Sequence, residues 1–120
     1  MEPSMTPICK TLAPWGEHCV LWESDKVVYK LLVINPHCRT SLQKHEHRTE
    51  TWRVLSGVGV HTGKTGTVAK LIIGTTIEIA QGEYHRIQAL DEPLVILETW
   101  RGEDLREDDI VRLHDDYKRV

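Results

Sequence analysis

A chain of 120 residues has room for one compact domain and not for two. Hydrophobic residues make up 40% and charged residues 28%, a balance that buries a core without needing a disulfide framework. A net charge of -3 with no basic run excludes a general nucleic-acid binder, whose phosphate partner demands a cationic face.

Residues 1–12, with Pro3 and Pro7, read as an irregular polar arm, and residues 13–120 as the folded domain. Val27 to Ile34 (VVYKLLVI) is a β-branched run stopped by Asn35-Pro36. Thr40 to His47 is a second expected strand, and Glu50 to Ser56 a third, closed by Gly57. Gly57 to His61 continues toward a hairpin turn at His61 to Gly66. Thr67 to Ile73 and Thr76 to Ala80 follow, split by Gly74. After the turn Gln81-Gly82-Glu83 come His85 to Ala89 and Leu94 to Trp100. Many short strands with closely spaced turn signals predict an all-β sandwich or barrel. Only Glu103 to Leu113 has helical character, so the tail is expected to be a short helix or an irregular, solvated acidic cap.

With no phenylalanine in the chain, Trp15, Trp22, Trp52 and Trp100 must supply much of the large apolar bulk. Cys9, Cys19 and Cys38 are odd in number and form no CxxC step, which points to free thiols. No stretch approaches the ~20 apolar residues of a membrane span, and the N-terminus lacks a leader pattern. A cytoplasmic location with no membrane partner is the expectation. Small all-β domains with exposed edge strands often pair, so a homodimer fits this class.

His45-Glu46-His47 is a His-x-His step, and alternate side chains of a strand share a face. Gln43 has the same parity. Glu50, after Arg48 and Thr49, can return a carboxylate to that face. His85 lies 38 positions beyond His47, on a separate strand that a closed antiparallel barrel can set alongside. Imidazoles with a carboxylate are the donor set of one divalent ion: zinc, manganese, iron, cobalt or nickel. Scattered surface histidines are the competing reading of His-x-His taken alone.

The stretch from Gln43 to Trp52 (QKHEHRTETW), followed by Gly57, resembles the first cupin motif. The span from Gly74 through Gly82 to His85 resembles the second. In its QxHxHRxExW form the first is similar to the C-terminal cupin domain of type II phosphomannose isomerases. Pro14-Trp15-Gly16, Lys30, Gly82-Glu83-Tyr84-His85-Arg86 and the tail from Gly102 to Tyr117 resemble that family as well. Four positions depart from it. His37 and Lys118 stand where the family carries glycine, Ala80 where it carries proline, and Ala89 where it carries asparagine.

The resemblance implies a single cupin domain, a jelly-roll β-barrel, interconverting mannose 6-phosphate and fructose 6-phosphate with one divalent ion on His45, His47, Glu50 and His85. That exchange needs a proton carried between neighbouring carbons, for which Glu50 and Glu98 are the candidate carboxylates. Arg48, Arg86 and Lys30 are the expected phosphate partners, and Gln43 a contact for the metal or a sugar hydroxyl. Trp52 walls the pocket or packs the core. A non-catalytic sugar-binding or regulatory cupin, and a metal-dependent dioxygenase, use the same ligands and are the alternatives.

Overall fold

The computed structural model describes residues 10–63 and 65–119, and it is built wholly from strands. In chain order these are β1 (Lys10–Ala13), β2 (Gly16–Glu23), β3 (Val27–Ile34), β4 (Leu42–Lys44), β5 (Thr49–Ser56) and β6 (Gly59–Gly63). β7 (Val68–Leu71), β8 (Thr76–Ile79), β9 (His85–Ala89), β10 (Leu94–Arg101) and β11 (Val111–His114) complete them. One sheet runs β1-β2-β3-β10-β5-β8 and the other β11-β4-β9-β6-β7. The pairings of β3 with β10 and β4 with β9 join distant parts of the chain, which winds the two sheets into a jelly roll around one core.

Alternation explains which side chains enter that core. Val28, Lys30, Leu32 and Ile34 of β3 are buried, as are Leu94, Ile96, Glu98 and Trp100 of β10. The antiparallel register stacks these residues in rows. Ile34 faces Leu94, Leu32 faces Ile96, and Ile96 faces Val54 of β5, all apolar. Further along, Lys30 faces Glu98, Glu98 faces Trp52, and Trp100 faces Glu50. The second sheet repeats the gradient, from Ala89 beside Gly59 to His85 beside Gln43. The barrel therefore has one apolar end and one end where ionisable groups point inward. Burying charges there is costly unless they are paired, which marks that end as the place to look for chemistry.

Two expectations change, and a third is narrowed to one of its alternatives. Lys10–Leu12 belong to β1, paired with β2, so the ordered domain begins before residue 13; residues 1–9 lie outside the described residues. The tail contains no helix: bends and turns lead into β11, which pairs with β4. The strand expected over Thr40 to His47 shrinks to Leu42–Lys44, with consequences taken up below. Among the described residues no helix is long and apolar enough to cross a membrane. Cys19 and Cys38 are free thiols, and Cys9 lies outside the described residues.

His37 and Lys118 adopt φ of 62° and 58° and are the two described non-glycine residues with positive φ. Both are positions where the resembled family has glycine. A left-handed conformation costs a side chain with a Cβ roughly 1–2 kcal/mol, while glycine loosens the unfolded chain by roughly 0.4–1 kcal/mol. The first effect is the larger. Each of His37→Gly and Lys118→Gly is expected to stabilise the protein by about 0.5–1 kcal/mol in urea unfolding. Losing the exposed His37–Asp91 contact subtracts little. A destabilised glycine variant would show that the side chain compensates for the strained backbone.

Candidate metal centre

The inward polar groups converge on three buried residues, His45, Glu50 and His85, whose ligand atoms lie within 4.8 Å of one another. Each imidazole is oriented through its other nitrogen. His45 Nδ1–H donates to the Asp109 carbonyl at 2.7 Å and His85 Nδ1–H to the Glu83 carbonyl at 3.1 Å. These bonds assign the tautomer and leave both Nε2 lone pairs facing the cluster. The two Nε2 atoms are 3.2 Å apart, and His45 Nε2 is 3.1 Å from Glu50 Oε2. Burial, with Arg48 adding to it at His45 and His45 at His85, lowers their pKa to about 4 and about 3. Both rings are thus neutral near pH 7. Two unprotonated nitrogens and a carboxylate oxygen converging at these distances fit a divalent cation in kind and number.

Gln43 completes the group. On β4 it faces inward opposite His85, with its amide 3.3 Å from His45 Nε2. Ser41 Oγ donates to its Oε1 at 2.6 Å. Glu50 is held by Arg48 Nε at 2.7 Å and by Trp52 Nε1 at 3.0 Å, each a donor to one carboxylate oxygen.

His47 does not join them. β4 ends at Lys44, so the strand parity that links Gln43 to His45 stops before it reaches His47, which is exposed. The cause lies across the molecule. The buried Asp109 carboxylate accepts the backbone N–H groups of Glu46 at 2.9 Å and His47 at 3.0 Å, bending the chain there. Burial opposes its charge, yet these donors hold Asp109 below the usual carboxylate range. Gly102 lets the segment after β10 pass close by: a Cβ on it would stand 2.3 Å from the His47 carbonyl oxygen.

The acidic tail is a solvated cap, with Glu103, Asp104, Glu107 and Asp108 exposed, and it also straps the cluster in place. Glu107 accepts from Lys30 Nζ at 2.9 Å, the Arg106 carbonyl accepts from Arg48 at 3.1 Å, and Asp116 accepts from Arg39 at 2.7 Å. The sequence pattern around Asp109 was legible; its partners, more than 60 positions away, were not.

A cavity of about 140 Å³ opens onto the cluster from between the sheets, with Gln43, His45, Arg48, Trp52, His85 and Glu98 in its wall. Lys30, expected as a phosphate partner, lines it too but is paired to Glu107 and lies 4.5 Å from the Trp100 ring centre. Arg48 also lines it, paired to Glu50 and stacked 3.5 Å from the same ring centre. Arg86 does not line it. It alternates with inward His85 and Ile87, so it faces out of the barrel, donating to the carbonyls of Thr40 and His114 at 3.0 and 3.2 Å. Trp52 both packs in the core and walls the cavity.

Glu98 is the second carboxylate of this cavity, buried, opposite Lys30 on β3, and bonded by the Trp100 indole N–H. Burial and then the charge of Glu50 push its pKa up to about 7, against the pull of Lys30 and Arg48. A carboxyl poised at neutrality can both accept and release a proton. His18, Arg112 and Arg119 line the cavity as well; Arg112 falls in the tail that resembles the family, yet none of the three is among the site residues expected from sequence.

The two-sheet jelly roll with histidines and a glutamate gathered inside it defines a cupin. Comparison with known proteins narrows this further. Residues 4–115 match the family described as mannose-6-phosphate isomerase C-terminal, and the chain belongs to that family. It is 34% identical over 112 residues, 92% of its length, to the xanthan biosynthesis protein XanB of Xanthomonas campestris. It is 35% identical over 113 residues to the alginate biosynthesis protein AlgA of Pseudomonas aeruginosa, and 33% over 108 to a mannose-1-phosphate guanylyltransferase of Escherichia coli. These alignments cover 93% and 89% of the chain. The chain spans 22–24% of the length of these three relatives.

Solved structures agree on the fold. Oxalate decarboxylase of Bacillus subtilis superposes with a TM-score of 0.78 at 18% identity, over 89% of this chain and 30% of that one. A conserved protein with a double-stranded β-helix domain from Klebsiella pneumoniae gives 0.72 at 18% identity, over 96% and 86%.

Proposed function

We propose that this domain is a metal-dependent sugar-phosphate isomerase that interconverts mannose 6-phosphate and fructose 6-phosphate. The observation that carries the reading is Glu98, a buried carboxyl held near neutrality in the same cavity as the His45, Glu50 and His85 cluster. Membership of the mannose-6-phosphate isomerase C-terminal family supports the sugar phosphate as substrate.

His45, His85 and Glu50, with Gln43 beside them, would hold one divalent ion drawn from zinc, manganese, iron, cobalt and nickel. When bound, the ion supplies Lewis acidity that polarises the sugar carbonyl and acidifies the neighbouring carbon. Glu50 is assigned to the ion, since its Oε2 lies 3.1 Å from His45 Nε2 and it does not line the cavity, which leaves the proton to Glu98. Glu98 takes the proton from C2 of the open-chain aldose and returns it to C1, while the hydroxyl proton passes from O2 to O1. Carbon and proton counts balance, and no oxidant is needed.

The test is incubation of metal-loaded protein with mannose 6-phosphate in deuterated water, following fructose 6-phosphate and carbon-bound deuterium by NMR. Formation of the ketose is expected, with label wherever the base exchanges with solvent. Neither product nor label across all five ions would overturn catalysis, and sugar phosphate still binding in that case would favour the sugar-binding module.

A further inference from the structure

Four cations line the cavity: Lys30, Arg48, Arg112 and Arg119. Three are neutralised. Lys30 pairs with Glu107 at 2.9 Å, Arg48 with Glu50 at 2.7 Å, and Arg119 with Asp115 through two bonds of 2.7 and 3.0 Å. Arg112 has no ion pair among the described residues, and its Nε is buried without a hydrogen-bond partner. Three side chains among the described residues carry such an orphaned atom, and a second of them, His18 through Nδ1, lines the same cavity. Orphaned buried polar atoms are rare in folded proteins, so two in one polar cavity call for a polar occupant.

The position of Arg112 says which. On β11 it stands directly opposite Gln43 of β4, and Gln43 stands opposite His85 of β9. Neighbours of that kind have Cβ atoms roughly 4.5–5.5 Å apart, so the guanidinium borders the metal cluster without belonging to it. Arg119 lies close enough for its charge to be felt at Arg112, and the carboxylate between them, Asp115, is already held by Arg119. Two adjacent guanidiniums sharing one carboxylate leave one unneutralised cation on this wall of the cavity, across from the Glu98 carboxyl on the other sheet. A planar fork with free donors suits a phosphate monoester better than a neutral hydroxyl.

We propose that Arg112, seconded by Arg119, binds the phosphate of the sugar phosphate, in the role that the sequence suggested for Arg48 and Arg86. The assignment rests on the reading of this cavity as a sugar-phosphate site, and it names the group that distinguishes a phosphorylated sugar from a free one. Arg48 is committed to Glu50 and Arg86 faces away, so neither is free for the task.

The experiment is calorimetric titration of the full chain, zinc-loaded, with mannose 6-phosphate, with mannose and with inorganic phosphate. Arg112→Ala is expected to weaken mannose 6-phosphate binding roughly 10- to 100-fold, with zinc content and mannose binding unchanged. Arg86→Ala should leave all three titrations as in wild type. Inorganic phosphate should compete with mannose 6-phosphate in wild type and lose that ability in Arg112→Ala, which assigns the contact to the phosphoryl group. Should the alanine variant fail to fold, Arg112→Gln, closer in volume, decides the question by the same readouts. Unchanged mannose 6-phosphate affinity in the folded variant overturns the assignment, as does a wild type that binds mannose 6-phosphate no better than mannose. Affinity that depends on Arg112 in a protein that makes no fructose 6-phosphate sinks the isomerase reading and leaves this one standing. Turnover with affinity indifferent to Arg112 does the reverse.

Discussion

Glu98→Gln is expected to slow isomerisation by roughly a hundred- to ten-thousand-fold while making the metal-free protein more stable in mild alkali. The two effects have one origin. Glu98 is buried, and its folded pKa is raised from 4.5 to about 7. A raised carboxyl pKa contributes stability fully below the unfolded value, and that contribution is lost as pH climbs through the folded one. Between about pH 4.5 and 7 the wild type therefore gives up stability that a glutamine, with no charge to acquire, retains. The shift bounds the difference at about 3 kcal/mol above pH 7. His45 and His85 impose the opposite slope. Their folded values lie below 6.5, so their contribution is present above 6.5 and lost as pH falls toward about 4 and 3. The Glu98 charge raises both imidazoles, but from pH 5 upward the folded rings are essentially neutral with or without it, so the difference between the urea-unfolding curves at pH 5 and pH 8 reports Glu98. A gap that does not widen with pH, or a variant that turns over normally, would remove Glu98 from the proton-transfer role.

Metal binding should divide the neighbouring residues in a way that a simple His-x-His motif does not. His45→Ala removes a direct ligand and is expected to leave the purified protein without its ion. His47→Ala, two positions on, is expected to keep it, because that side chain is exposed and outside the cluster. Asp109→Ala should fall between them. Its carboxylate anchors two backbone N–H groups of the turn after His45, and its own carbonyl orients the imidazole. Loss of two charge-assisted bonds is expected to cost about 2–4 kcal/mol of stability. Disturbing the group that orients a ligand should weaken metal affinity roughly 10- to 100-fold. Elemental analysis with zinc competition by a chromophoric chelator checks all three. Equal metal loss in His45→Ala and His47→Ala would return His47 to the ligand set.

Much of this architecture could be read from residues close together in the chain. The strands β3, β5, β9 and β10 were visible because each is half-buried, so inward and outward residues alternate within a few positions. The same rule pairs His45 with Gln43, and it could have excluded Arg86, which sits between two inward residues. β1 and β2 escaped notice because their burial pattern is weak: β1 is mostly exposed and β2 only partly buried, and little alternation survives in their composition.

The convergence of His45, Glu50 and His85, Glu98 as an inward carboxylate and the jelly-roll class were legible from local pattern together with the family resemblance. The ends of those patterns were decided elsewhere. Asp109 stops the β4 strand and turns His47 out, and Glu107 pairs the buried Lys30. Arg112 faces the cavity with no ion pair among the described residues, because Asp115 is held by Arg119. Alternation acts between neighbours in sequence, whereas hydrogen bonds and ion pairs are satisfied by whatever the folded chain brings within about 3 Å. The tail's exposure is legible in its acidic run, whereas its contacts with the barrel and the charge it leaves over are visible only in the closed structure.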